Sequence, residues 1–183
     1  DPWNAPIPFE RSWCVWEIYS TIATNGKLHV SLSPDGRKEF WKNFVTNFQI
    51  IVNVVSTIDA QQASAFSLDD KKRIDQTIRD SVGFLTVNKL ISDEMLAWLA
   101  NSGKALLRSE NAEGMMTRQE RAVLITCLAS LLQDQGKLEE AESYLRKGLS
   151  GFEQCCGTDS PETLEAVVKL GELLEKRKKV LKL

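Results

Sequence analysis

Histidine is almost missing from this chain: His29 is the single one in 183 residues. A catalytic triad or a metal site built on imidazole would have to use that residue. No Cys or acidic ligand spacing surrounds it, so a structural role is expected. Glycines stand alone at Gly26, Gly36 and Gly83 rather than in a phosphate-cradling loop, which removes the usual nucleotide signatures. No apolar run approaches the roughly 20 residues that span a bilayer, and the N-terminus lacks the basic-then-apolar pattern of a signal peptide. The net charge of −2 leaves no global field to favour nucleic acid or an anionic membrane. The four cysteines, Cys14, Cys127, Cys155 and Cys156, show no C-x-x-C or Cys/His spacing. Adjacent Cys155 and Cys156 do not suit a mutual disulfide, and all four read as reduced thiols of a cytoplasmic protein. No metal and no cofactor is expected, and neither nucleic acid nor a membrane is an expected partner.

What is present is ordinary globular material, 43% hydrophobic and 26% charged. The chain starts Asp1-Pro2-Trp3 and ends inside a helical pattern, which reads as a piece of something longer. Three prolines make residues 1–9 an extended lead-in. Residues 10–24 read as a helix with Cys14, Ile18 and Ile22 on one face, closed by Asn25-Gly26. Leu28–Leu32 alternates apolar and polar and predicts a short strand. Ser33-Pro34 opens a helix whose stripe is Phe40, Phe44 and Phe48. The apolar run at 50–55 suits a continued helix or a buried strand, with helix the preferred reading. Ser67 and Asp70 form a capping pair before a helix over 68–81 that faces Ile74 and Ile78 inward. Gly83 breaks it, and a further helix covers about 84–108, with Asn101-Ser102-Gly103 as a candidate interruption. Asn111–Gly114 reads as a linker.

Beyond the linker the pattern is clearer. Thr117 and Glu120 form a T-x-x-E capping box, and Leu124, Leu128, Leu131 and Leu132 line one side of the helix that follows. Gln135-Gly136-Lys137 makes a turn. A second helix carries Leu138, Ala141, Leu145, Leu149 and Phe152 at intervals of three and four. So short a turn makes the two helices antiparallel neighbours. Ala129, Ala141 and Gly148 are small where the axes must approach. Ser160-Pro161 then opens a third helix, and Leu128-Ala129-x-x-Leu132 recurs 42 residues later as Leu170-Gly171-x-x-Leu174.

The stretch from Leu128 to Thr163 resembles the tetratricopeptide repeats of kinesin light chains, which are longer than the usual repeat of about 34 residues. Leu128, Ala129, Leu132, Gly136, Ala141, Leu145, Gly148, Gly157 and Pro161 carry the match. Leu170, Gly171 and Leu174 restart it. Ser160-Pro161 stands where that family usually has His-Pro. The resemblance covers about residues 117–183 and implies a protein–protein interaction scaffold that binds another protein or peptide. In such arrays the first helix of each repeat lines a concave face, which makes Arg121, Gln133 and Lys169 candidate partner-binding positions.

Near the N-terminus, Ser12-Trp13-Cys14-Val15-Trp16-Glu17-Ile18 is similar to the W-C-x-x-E helix of TIR-like domains. In NAD-cleaving members of that group this helix carries the catalytic glutamate, so the resemblance marks Glu17 as a catalytic residue in a longer parent. Trp13 would help exclude water beside it. The basic end, Lys176-Arg177-Lys178-Lys179 and Lys182, gives residues 169–183 a net charge of +4. It reads as cations at a helix C-terminus rather than a nucleic-acid patch.

The expected architecture is therefore mainly α. A partial TIR-like α/β or helical segment spans 1–110, with one short strand, and a tetratricopeptide module of one full repeat plus one helix spans 115–183. A non-enzymatic scaffold is expected, with a truncated TIR-like NAD-cleaving signalling protein as the alternative.

Overall fold

The computed structural model describes residues 7–109 and 116–181, apart from the side chains of Pro34 and Asp35. Helix makes up 78% of the described residues, so they are mainly α as expected. The chain divides into two compact units, one of residues 1–43 and 47–98, the other of residues 44–46 and 99–183.

In the first unit, α1 (Ile7–Glu10) and α2 (Ser12–Ala23) follow one another. The extended lead-in expected through residue 9 is thus a helical turn from Ile7 on, and Pro8 sits where a first turn tolerates it. The buried face of α2 is Ser12, Val15 and Tyr19, while Cys14, Ile18 and Ile22 are half-buried. Spacing finds a face, but the neighbours decide how deep it lies. Here Ser12 is pulled inward, because its Oγ donates to the Ala63 carbonyl at 2.8 Å and its N–H to the Ser64 carbonyl at 2.7 Å. Ser64 N–H donates back to the Glu10 carbonyl, making an isolated parallel bridge of Arg11 with Ser64.

The strand expected at Leu28–Leu32 is not formed; residues 26–33 have no regular structure. Alternation is only half of what a strand needs. The backbone must also find a second extended segment to pair with, and Leu28–Leu32 pairs with no described residue.

The phenylalanine stripe splits. Phe40 and Phe44 are buried in α3 (Pro34–Thr46), Asn47 breaks the helix, and half-buried Phe48 opens α4 (Phe48–Ser56). The ambiguous run at 50–55 is accordingly helical, burying Ile51 and Val55. Ser67 Oγ accepts from Asp70 N–H at 3.1 Å and caps α5 (Leu68–Ser81), which buries Ile74 and Ile78. Helix α6 (Phe84–Arg108) joins this core through Val87, Ile91 and Met95, and Ser92 Oγ donates to the Val55 carbonyl.

Asn101-Ser102-Gly103 does not interrupt α6. Gly103 is a contact residue instead. A Cβ on it would lie 2.6 Å from Leu128 Cδ2, within the second unit. The linker expected at Asn111–Gly114 lies outside the described residues.

The second unit continues with α7 (Arg118–Asp134), α8 (Leu138–Cys156) and α9 (Pro161–Val180). Both arms of the Thr117/Glu120 capping box are present: Thr117 Oγ1 accepts from Glu120 N–H at 3.1 Å, and Thr117 N–H donates to Glu120 Oε2 at 2.7 Å. Gly136 adopts φ +74° in the turn between α7 and α8, a conformation that costs other residues roughly 1–2 kcal/mol. Ser160 Oγ accepts from Thr163 N–H, and Pro161 follows at the first helical position. One core cluster joins all three helices: Ala129 and Leu132 of α7, Ala141 and Leu145 of α8, Leu170 and Leu173 of α9. A smaller one joins Ala122, Phe152 and Ala166.

Candidate functional site

Of the residues expected to pack the repeat, Gly136 in the turn and Pro161 at the start of α9 are exposed. Leu128, Ala129, Leu132, Ala141, Leu145 and Leu170 are buried, and Leu174 packs half-buried against them. Gly148 is buried against α7, where a Cβ on it would meet Thr126 Cγ2. Gly171 differs. It is exposed, and a Cβ on it would meet open space. Its counterpart 42 residues earlier, Ala129, is fully covered. The same contrast holds along the helix. Leu164, Val167 and Val168 of α9 are exposed, whereas their counterparts Ala122 and Thr126 are buried and Ile125 is half-buried. Gly148 and Gly151 of α8 are what cover that face of α7. On α9 the equivalent face is uncovered by any described residue.

The expected partner-binding positions are spread over two helices. Arg121 and Gln133 lie on the same helix, 12 positions apart in number, which is about 18 Å along its axis. Lys169 is on α9 and pairs with Glu165 at 2.7 Å.

Arg121 does line a cavity. Between the N-terminal half of α7 and the C-terminal half of α8 lies a space of about 600 Å³, walled by Arg118, Arg121, Ala122, Ile125, Lys147 and Gly151. Ser150 and Gln154 add polar groups at its α8 edge. Among the described residues three cations line it and no carboxylate does. The nearest acidic side chain in sequence, Glu120, is turned back onto Thr117, and those hydrogen bonds from the Thr117 backbone and side chain hold its carboxyl below the ordinary range. Arg121 Nη2 donates to the Leu107 carbonyl at 3.3 Å. Its Nη1 is buried with no hydrogen-bond partner among the described residues. Arg118 and Lys147 escaped the sequence reading. Arg118 lies three positions from Arg121, a legible hint, but only the hairpin brings Lys147 opposite them.

Elsewhere the chemistry is quiet. Glu17 is exposed on α2. Trp13, also largely exposed, lies under the Arg73 guanidinium at 5.3 Å. Cys127 is shielded between helices, and burial pushes its thiol up to about 12. The four cysteines are free. Among the described residues no group of His, Cys, Asp and Glu is arranged to hold a metal ion, and no helix is long and apolar enough to cross a membrane.

Comparison with known proteins adds one match. No curated protein and no solved structure matches the chain. A family model does, over residues 120–180, and its bounds fall within α7 and α9. The family model is that of the tetratricopeptide repeat, and the segment similar to it is the hairpin of α7 and α8 with α9 packed against it.

Proposed function

We propose that this protein is a non-enzymatic interaction scaffold whose repeat module, residues 115–183, binds another protein or peptide. The observation that carries the reading is the tetratricopeptide match over three helices that pack in the repeat's own order. Tetratricopeptide repeats generally mediate protein–protein interaction. The 42-residue offset between Leu128 and Leu170 supports the longer, kinesin-light-chain style of repeat. Arg121, Gln133 and Lys169 are the contact positions proposed on the first helix of each repeat. Four free thiols suit a reducing, cytoplasmic setting.

The uncovered face of α9 supports the same reading, because exposed Leu164, Val167 and Val168 stand where a further helix packs in the repeat before. The test is affinity capture with the wild-type protein and with Leu164→Glu/Val168→Glu. A partner recovered by the first and lost from the second supports binding through the module. Equal recovery by both, or none above a control, counts against it.

The second reading, a TIR-like NAD-cleaving front domain using Glu17, rests on the Trp13-to-Ile18 motif. Its test is NAD consumption by the full-length protein with and without Glu17→Gln; absence of turnover in the wild type ends it.

A further inference from the structure

Two thiols meet at the end of α8. Cys155 and Cys156 are its last two residues, and their Sγ atoms lie 3.1 Å apart. Successive residues of a helix do not face each other, so this contact requires both side chains to turn toward one another. Packing engages Cys156, which lies half-buried against the cluster of Ala122, Phe152 and Ala166, whereas Cys155 is exposed. Gly157 follows at φ +91° and brings no side chain to cover them. The two sulfurs form a pair with one member anchored and the other open to solvent.

The pair is poorly placed to close on itself. Adjacent Cα atoms stand about 3.8 Å apart, short of the roughly 4.4–6.8 Å that a disulfide usually spans. The hydrogen bond with Cys155, together with burial, pushes the Cys156 thiol up to about 11, so it keeps its proton near neutral pH. Two thiols held side by side without a bond between them can bond to a third atom.

Their separation selects that atom. A pyramidal trivalent centre bonded to two sulfurs at about 2.3 Å, the length of a zinc–thiolate bond, and at roughly a right angle holds them about 3.3 Å apart. A linear two-coordinate cation would need them about 4.6 Å apart at the same bond length. A tetrahedral cation wants four ligands, and among the described residues no group of three Cys, His, Asp or Glu side chains is arranged to hold one.

We propose that Cys155 and Cys156 together are a binding site for trivalent arsenicals that carry one organic group. Each thiol displaces one hydroxide from arsenic. Two As–S bonds form, two As–O bonds break, and the two thiol protons leave with the hydroxides as two waters. Arsenic stays trivalent, so no oxidant or reductant takes part. The site lies on the last turn of α8, apart from Arg121, Gln133 and Lys169, and does not depend on the protein-binding reading.

The test uses the whole 183-residue chain, reduced, with phenylarsonous acid as the probe. Intact mass spectrometry is expected to find one phenylarsenic group per chain, and alkylation mapping to find Cys155 and Cys156 protected. The adduct should persist in excess glutathione, a monothiol, and be removed by dithiothreitol, a dithiol. Cys155→Ser and Cys156→Ser should each weaken binding roughly a hundredfold or more, because the second thiol acts at a high effective concentration. Cys14→Ser/Cys127→Ser should bind as wild type does. Zinc chloride should leave Cys155 open to alkylation. No adduct on the wild type in glutathione overturns the site, as does an adduct that Cys155→Ser retains. Because Cys155 is exposed, that variant keeps the fold and decides the matter even where Cys156→Ser loses helix content by circular dichroism. An adduct mapped to Cys14 or Cys127 also overturns the site. Protection of Cys155 by zinc equal to that by the arsenical overturns the trivalent centre.

Discussion

Gly148 passes so close to Thr126 that a Cβ built on it would lie 2.5 Å from the Thr126 Cγ2. That methyl cannot swing aside cheaply. The hydroxyl on the same carbon donates to the Ala122 and Val123 carbonyls at 3.2 and 2.8 Å. The spacing of α7 and α8 at this point is therefore set by a side chain that is held and a side chain that is missing.

Gly148→Ala is expected to destabilise the protein. Overpacking costs about 1–3 kcal/mol, against a gain of up to about 1 kcal/mol from helix propensity. Gly171→Ala should do the reverse, stabilising by about 0.5–1 kcal/mol, because its Cβ would meet open space. Thermal unfolding followed by circular dichroism should move in opposite directions for the two. Equal shifts would show that the hairpin contact is not as tight as its geometry.

Ser12→Ala tests the front unit. It removes the hydroxyl that reaches the buried Ala63 carbonyl, leaving that acceptor unpaired at a cost of about 1–3 kcal/mol. Urea unfolding should show a lower midpoint, and Ser12→Thr should recover part of the loss. An unchanged midpoint in Ser12→Ala would mean that water replaces the hydroxyl at no cost.

Acid should loosen the repeat module. Glu120 is held below its ordinary value of 4.5 by its bonds with Thr117, and Arg146 and Arg177 hold Glu142 low as well. Both carboxyls have folded values below their unfolded ones, so ionisation favours the fold. Their contribution is complete above the unfolded value and is lost as pH falls through the lowered folded values. Glu120→Gln should therefore be less stable than wild type near about pH 7, and the gap should narrow as pH falls below the ordinary carboxylate value of 4.5. A gap that stays the same as pH falls would argue against the ionised cap.

Thiol labelling should discriminate among the cysteines. Cys155 is exposed, whereas the Cys127 thiol, with its value raised to about 12, is ionised to roughly one part in ten thousand near pH 8. Brief alkylation of the native protein followed by peptide mass mapping should find Cys155 modified and Cys127 spared. Rapid labelling of Cys127 would mean that α7 and α9 part readily.

Much of the second unit was legible because its signals are local. Thr117 with Glu120, Ser160 with Pro161, and Gly136 are short-range patterns whose physics is complete within a few residues. The apolar stripes of α7 and α8 have the period of the helices they form. In the front unit the same kind of reading found α5 through Ser67 and Ile74. It failed at Leu28–Leu32, because pairing depends on a distant segment. It also failed at Gly103, because a glycine in a close helix contact and a glycine that breaks a helix look alike in one dimension.

By itself the sequence determined the caps and apolar stripes of α5, α7, α8 and α9 and their likeness to tetratricopeptide repeats, since each follows from neighbours along the chain. Only the tertiary structure decided which glycines are contacts, and that Lys147 lines the same cavity as Arg118 and Arg121. Those facts depend on how one helix lies on another, and that is settled by packing between residues far apart in sequence.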